Sequence, residues 1–360
     1  MKYIDEFRDG ALSSKLISRI RRLADKARGY DIMEVCGTHT MAIFRYGLRE
    51  LLPDNIRLIS GPGCPVCVTA SEFLDRAIAI AASPEVIIAT FGDMLRVPGS
   101  RSSLEKERAD GRNVKVVYST DDALDIAQKY PEREVVFLGV GFETTVPTVA
   151  ASILSAAKRG MNNYSVLSAH KTMPEALDAI MARGDAHIDG FLLPGHVTAI
   201  TGTEPFRFLA KKYKAGCVAA GFEPVDILQS ILMLVEQKVP AVEVQYKRII
   251  DPLGNRLARK AMDKVFEKSP SVWRGIGELK DSGLKIRERF SRFDASLKFK
   301  VRIPRVRENK ACICGAVLRG TRTPRDCPLF GNGCAPAHPV GSCMVSSEGT
   351  CAAYYKYGRR

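Results

Sequence analysis

The chain has 360 residues, 46% hydrophobic and 26% charged, which is the composition of an ordinary globular protein too long for a single core, so two or three domains are expected. Its net charge of +14 is spread out, and the densest stretches, "SRIRRLADKARG" and "RVRENK", lack interleaved aromatics. That argues for solvated surface and against a nucleic-acid binder. No run approaches the roughly eighteen apolar residues of a membrane span. The N-terminal "MKYIDEFRDG" has no apolar signal core, so the expected location is cytoplasmic, with no membrane contact.

Residues 11–28 carry apolar positions at helical spacing and predict an amphipathic helix. Short apolar runs ending in small residues follow at 30–37, 56–63, 85–92 and 114–120, alternating with helix-like segments such as 71–83 and 121–130. The pattern restarts with strand-like runs at 134–141, 164–170, 190–196 and 216–222, again separated by helical segments. Such alternation predicts βαβ units and a mostly parallel sheet. After a helix over 225–238 and a strand "AVEVQYKRI", the chain becomes charged and helix-rich, then cysteine-rich.

The expected fold class is therefore α/β, with two similar α/β lobes having mostly parallel sheets around a central cleft, plus a C-terminal iron–sulfur domain. The N-terminal helix (1–29) is expected to pack on that C-terminal domain. The lobes are assigned to 30–133, carrying Cys36, Cys64 and Cys67, and to 134–245, with the C-terminal domain at 246–360. Functional groups of such sheets collect at the carboxyl ends of strands, where Cys36, His39, Cys64, Cys67, Glu143, Thr144, Thr145 and His196 stand.

Ten cysteines in a cytoplasmic protein point to thiols, metal ligands or redox pairs. Six of them fall in the last 49 residues: Cys312, Cys314, Cys327, Cys334, Cys343 and Cys351. Twelve residues separate Cys314 from Cys327, six separate Cys327 from Cys334, and sixteen separate Cys334 from Cys351. Structural zinc takes paired Cys-x-x-Cys knuckles, which this region lacks, whereas wide Pro- and Gly-rich loops suit a [4Fe–4S] cluster. Zinc, or merely reduced thiols, is the alternative. The expected ligands are Cys314, Cys327, Cys334 and Cys351. Cys312 competes with Cys314 for one position, and Cys343 is a spare.

In "EVCGTHTMA", Cys36 precedes His39 by three residues, so thiolate and imidazole can share one face of a helical turn. There the histidine could lower the thiol pKa, act as a base or help hold a soft metal. A small buried cysteine beside a capping threonine is the plain alternative. Cys64 and Cys67 flank Pro-Val, the form of a reversible redox pair whose first thiolate a helix start would stabilise; two incidental thiols in a turn would look the same. "GVGFETT" lacks the third glycine of a dinucleotide loop, so Glu143, Thr144 and Thr145 are read as groups that orient a polar ligand.

Taken together, "CGTHT", "GPGCPVC", "GFETT", "PGHV" and "CPLFGNGC…PVGSCMVSSEGTC" resemble the HypD family of [NiFe]-hydrogenase maturation proteins, over nearly the whole chain and in the family's order. The resemblance implies a scaffold or accessory protein with redox chemistry rather than a stand-alone enzyme. On it, with a HypC-like small chaperone, the Fe(CN)2CO unit is assembled. Cyanide would come from a HypE-like donor, and the hydrogenase large subunit would be an indirect partner. It further implies Fe(II) held at Cys36 with help from His39, and electrons relayed from the [4Fe–4S] cluster through Cys64 and Cys67. Glu143, Thr144, Thr145 and His196 would line the cleft. A disulfide reductase similar to ferredoxin:thioredoxin reductase is the second reading.

Overall fold

The computed structural model describes residues 4–303 and 309–358; of the basic stretch 305–310, residues 305–308 lie outside the described residues. The apolar runs become β1 (Tyr30–Glu34), β2 (Ile56–Ser60), β3 (Val86–Thr90), β4 (Val114–Val116), β5 (Glu134–Gly139), β6 (Tyr164–Ser168), β7 (Gly190–Pro194), β8 (Gly216–Ala220) and β9 (Val242–Val244). They form two all-parallel sheets, ordered β2-β1-β7-β8-β9 and β4-β3-β5-β6. Strands covered by helices on both faces have no solvent side, so their runs are apolar throughout. β3, β7 and β8 are buried at every position.

Each sheet, counted by its own strands, begins 2-1-3-4, so the two lobes share a topology. Their boundaries differ from those expected. The chain leaves the larger sheet after β2, builds all of the smaller sheet and returns at β7. A division at 133/134 would cut the smaller sheet, because β3 pairs with β5 from Val86↔Glu134 to Ala89↔Phe137. An apolar run dictates that a strand is buried but not which strand it pairs with, and two nested units look sequential.

The N-terminal helix, Gly10–Leu23, packs on helix Pro224–Glu236 of the larger lobe and not on the C-terminal segment. Its apolar stripe (Ile17, Ile20) enters one core with Ile32, Ile227, Leu228 and Ile231. Ion pairs Arg8–Glu223 and Arg19–Glu236 flank that seam.

Residues beyond 245 are spread over both lobes. Helix Arg256–Val265 lies against helix Val146–Lys158 of the smaller lobe, and an antiparallel hairpin follows: β10 (Phe266–Trp273) and β11 (Gly277–Ile286). The hairpin stands where helix-rich sequence was expected. Pro270 hides it, since a proline disrupts a strand pattern, and here it sits in the irregularity between Ser269 and Ser271 where the register shifts. Phe266 and Ile286 join the smaller lobe's core, while Trp273 and Ile276 join a core that also contains Cys64, Cys67, Cys314 and Cys343.

Candidate thiol and metal centre

In the larger sheet, the order of strand addition reverses between β1 and β7, the place where open α/β sheets bind ligands. The carboxyl ends of β2, β1, β7 and β8 stand side by side there, and they lead into Cys64, Cys36, His196 and Phe222 respectively.

Cys36 is the N-cap of helix Gly37–Arg45. The amides of Thr38 and His39 favour its thiolate, as a helix N-terminus should. Burial and, secondly, the Glu348 carboxylate outweigh them and push the thiol up to about 11. A free Cys36 is thus a protonated thiol at neutral pH, and a cation brought beside it would add to the pull of those amides toward ionisation.

His39 is fully buried and its Nε2 pairs with the Gly221 carbonyl at 2.9 Å, so that nitrogen carries the proton. Nδ1 keeps its lone pair and has no hydrogen-bond partner among the described residues. Burial, only partly offset by the bond to Gly221, lowers the imidazole to about 4. A neutral ring cannot lower the Cys36 thiol by charge. What His39 offers is a ligand lone pair. Phe222 stacks on His39 at 4.8 Å and meets His196 at a tilt at 4.2 Å, joining the two histidines through one aromatic ring. His196 is exposed at the rim.

Cys64 and Cys67 form a disulfide, with Cα atoms 5.3 Å apart and exposures of 3% and 0%. Cys64 caps a four-residue helix, Pro65–Val68, and the Cys67 amide donates to Cys64 Sγ at 3.2 Å. The preceding loop is zipped to Cys36: Gly37 N–H donates to the Gly63 carbonyl at 3.0 Å, and a Cβ on Gly63 would overlap the Cys36 backbone. On its other side the disulfide loop meets the tail, where Ser342 Oγ donates to the Cys67 carbonyl at 3.0 Å.

All six tail cysteines line one pocket, with Ile313, Val317, Leu329, Phe330 and Met344 around them. Cys314 and Cys343 are buried with their Sγ atoms 3.0 Å apart. Contact with Cys314 favours the Cys343 thiolate, but contact with Cys351 and burial push this thiol well up. Burial also raises Cys312, to about 11. So many crowded thiols cannot ionise together without a cation.

The tail also reaches Cys36 directly. Thr38 Oγ1 donates to Glu348 at 2.6 Å, and Gly37 packs so tightly on Glu348 that no Cβ would fit. Ser346 Oγ donates to Asp93, after β3, at 3.1 Å. Glu348 and Phe222 were missed in the sequence reading. Within "SSEGTC" the sequence assigns a role of its own only to Cys351, and nothing local marks Phe222 as the ring between two histidines.

The "GFETT" loop belongs to the other sheet, yet its Phe142 shares a buried core with Cys64 and Cys67. It follows β5 of the smaller sheet; Glu143 Oε1 accepts from Met173 N–H at 3.0 Å, and Thr145 Oγ1 closes on the Phe142 carbonyl at 3.2 Å. Thr144 is half-buried in the same turn. Glu143 lines a groove to which neither Cys36 nor His39 contributes.

The chain is thus of the doubly wound α/β class, with a helix-capping cysteine, an adjoining buried disulfide and a six-thiol pocket. Comparison with known families narrows that class. The family model HypD, described as "Hydrogenase formation hypA family", matches residues 11–358. Over 370 aligned residues the chain is 48% identical to the hydrogenase maturation factor HypD of Rhizobium leguminosarum bv. viciae, covering 100% of this chain and 96% of that one. It is 50% identical to the hydrogenase maturation factor HypD of Azotobacter vinelandii, covering 100% and 98%. A putative hydrogenase expression/formation protein of Methanocaldococcus jannaschii is 44% identical, with 98% of each chain covered. The chain belongs to the HypD family.

Proposed function

We propose that this protein is a redox-active scaffold in [NiFe]-hydrogenase maturation, on which the Fe(CN)2CO moiety is assembled together with a HypC-like chaperone. The iron is cargo. Cys36 holds it, the Nδ1 lone pair of His39 is the second donor at hand, and a HypE-like protein supplies the cyanides. The cytoplasmic location and the indirect link to the hydrogenase large subunit belong to the same reading. So does its role as an accessory protein rather than a stand-alone enzyme.

One observation carries it: the Cys64–Cys67 disulfide touches the Cys36 loop on one side, through Gly63 and Gly37, and the tail thiols on the other, through Ser342. A relay needs that order.

The tail pocket fits a thiolate-bound cluster, because its donors are six soft sulfurs in apolar surroundings. Two sulfurs at 3.0 Å suit a dithiol pair better than two corners of a cluster. We therefore assign Cys312, Cys327, Cys334 and Cys351 to the cluster and Cys314 with Cys343 to the relay, a change from the ligand set expected from spacing. A [4Fe–4S] cluster held there supplies one-electron reducing equivalents. The remaining steps belong to the chain's own thiols. When Cys314 and Cys343 join, two thiols lose two electrons and two protons. The Cys64–Cys67 bond takes up the same number as it opens, which leaves two thiols beside Cys36.

The alternative disulfide reductase would have to offer a sulfur to a protein substrate. Cys64 and Cys67, at 3% and 0% exposure, are poorly placed for that. Cys36→Ala separates the readings. The scaffold reading expects loss of hydrogenase maturation with reducible Cys64–Cys67 intact, while the reductase reading expects maturation to be unaffected.

A further inference from the structure

A groove of about 890 Å³ has no cysteine among its lining residues. It runs between helix Met173–Arg183, helix Arg256–Val265 and the β10–β11 hairpin, and its walls are mostly apolar, formed by side chains such as Phe208, Met262, Phe266 and Leu284.

Three oxygens at its inner end are buried and have no hydrogen-bond partner among the described residues: Glu143 Oε2, Thr172 Oγ1 and Glu175 Oε2. Glu143 is 3% exposed and Thr172 is 7% exposed. The three residues converge on one helix start. Thr172 is the N-cap of helix Met173–Arg183 but makes no capping bond with its side chain, Glu175 is in the first turn, and Glu143 accepts from Met173 N–H. Buried polar atoms of native proteins are nearly always paired, so three orphans in one place call for a donor from outside.

The charges say which donor. Glu143 and Glu175 repel one another across the site, and Lys268, bound to the other Glu175 oxygen, is a single cation acting on both carboxylates. Burial first, and then Glu175, raise the Glu143 carboxyl to about 7 despite Lys268, so its ionised form is only partly compensated. Three acceptor oxygens match the three N–H donors of a primary ammonium, and the apolar walls match a hydrocarbon body.

We propose that this groove is a binding site for a small organic primary amine, its ammonium held by Glu143, Glu175 and Thr172 and its apolar body lying along Phe208, Met262 and Phe266.

The test uses the full-length protein and two probes of the same shape, benzylamine and benzyl alcohol, titrated calorimetrically. Benzylamine should bind saturably, and benzyl alcohol about tenfold or more weakly, because a charge-assisted bond is lost. Glu143→Gln keeps an oxygen for Met173 N–H. It should weaken benzylamine about tenfold and leave benzyl alcohol unchanged. Ala179→Trp, which fills the groove from helix Met173–Arg183, should abolish binding of both probes, and it carries the test if Glu143→Gln fails to fold. The proposal is overturned by equal affinity for the two probes, by unchanged benzylamine binding in either variant, or by calcium occupying the site while benzylamine does not.

Discussion

Cys314 Sγ and Cys343 Sγ stand 3.0 Å apart, both buried, against the same core as the Cys64–Cys67 disulfide. If these two sulfurs form a redox pair, replacing either should spare the cluster. Cys343→Ser purified without oxygen should keep the iron, the acid-labile sulfide and the visible absorption of the parent, yet fail to mature hydrogenase. Cys327→Ser, Cys334→Ser and Cys351→Ser should lose iron. Iron loss in Cys343→Ser would return Cys343 to the ligand set, and zinc without sulfide in the parent would remove the cluster altogether.

Gly63 is where the disulfide loop meets Cys36. A Cβ there would overlap the Cys36 backbone, so Gly63→Ala must push the two loops apart. The expected cost is about 1–3 kcal/mol in urea unfolding, as for other overpacked sites, together with lost maturation. Gly10→Ala, with open space around the added methyl, should stay within about 0.5 kcal/mol of the parent.

Arg49 ties the C-terminal helix Thr350–Tyr357 to the helix that Cys36 caps. Its guanidinium pairs with fully buried Glu34 at 2.9 Å, donates to the Leu58 carbonyl at 2.8 Å and lies 4.5 Å over the Phe44 ring, which packs on Tyr354. Burial already raises the Glu34 carboxyl against the pull of Arg49. Arg49→Met leaves that carboxyl uncompensated, so a loss of about 3 kcal/mol is expected. Faster alkylation of the tail thiols should accompany it, as measured by mass spectrometry.

Much of this architecture was legible in the chain. The parallel strands follow their apolar runs, because a strand buried on both faces must be apolar along its length. Cys36 and His39 were legible as one turn of helix. The pairing of strands was not, since β3 contains nothing that names β5 as its neighbour. "GFETT" and Cys36 follow strands of different sheets, and that Phe142 nonetheless reaches the core of Cys64 and Cys67 is not encoded in either stretch. Phe222 and Glu348 meet the Cys36–His39 turn only when β8 and the tail are brought to β1, and no local pattern encodes that approach.

His170 gives a pH dependence of known sign. It is 1% exposed with Nδ1 3.0 Å from Ser168 Oγ, and burial lowers it from 6.5 to about 3. The unfolded chain therefore binds a proton near pH 6.5 that the folded chain refuses until much lower pH. The stability this neutral ring contributes is complete above that value and is lost as pH falls below it. The expected slope is about 1.4 kcal/mol per pH unit. Urea unfolding of His170→Asn between pH 6 and 4 should show a pH dependence shallower by about that amount.

The central claim is that Cys36 holds the iron of the Fe(CN)2CO unit, and infrared spectroscopy of the protein co-purified with its HypC-like partner tests it most directly. The parent complex should show bands of metal-bound cyanide and carbonyl, and Cys36→Ala, folded and with its tail cluster intact, should show neither. Persistence of those bands in Cys36→Ala would contradict the account.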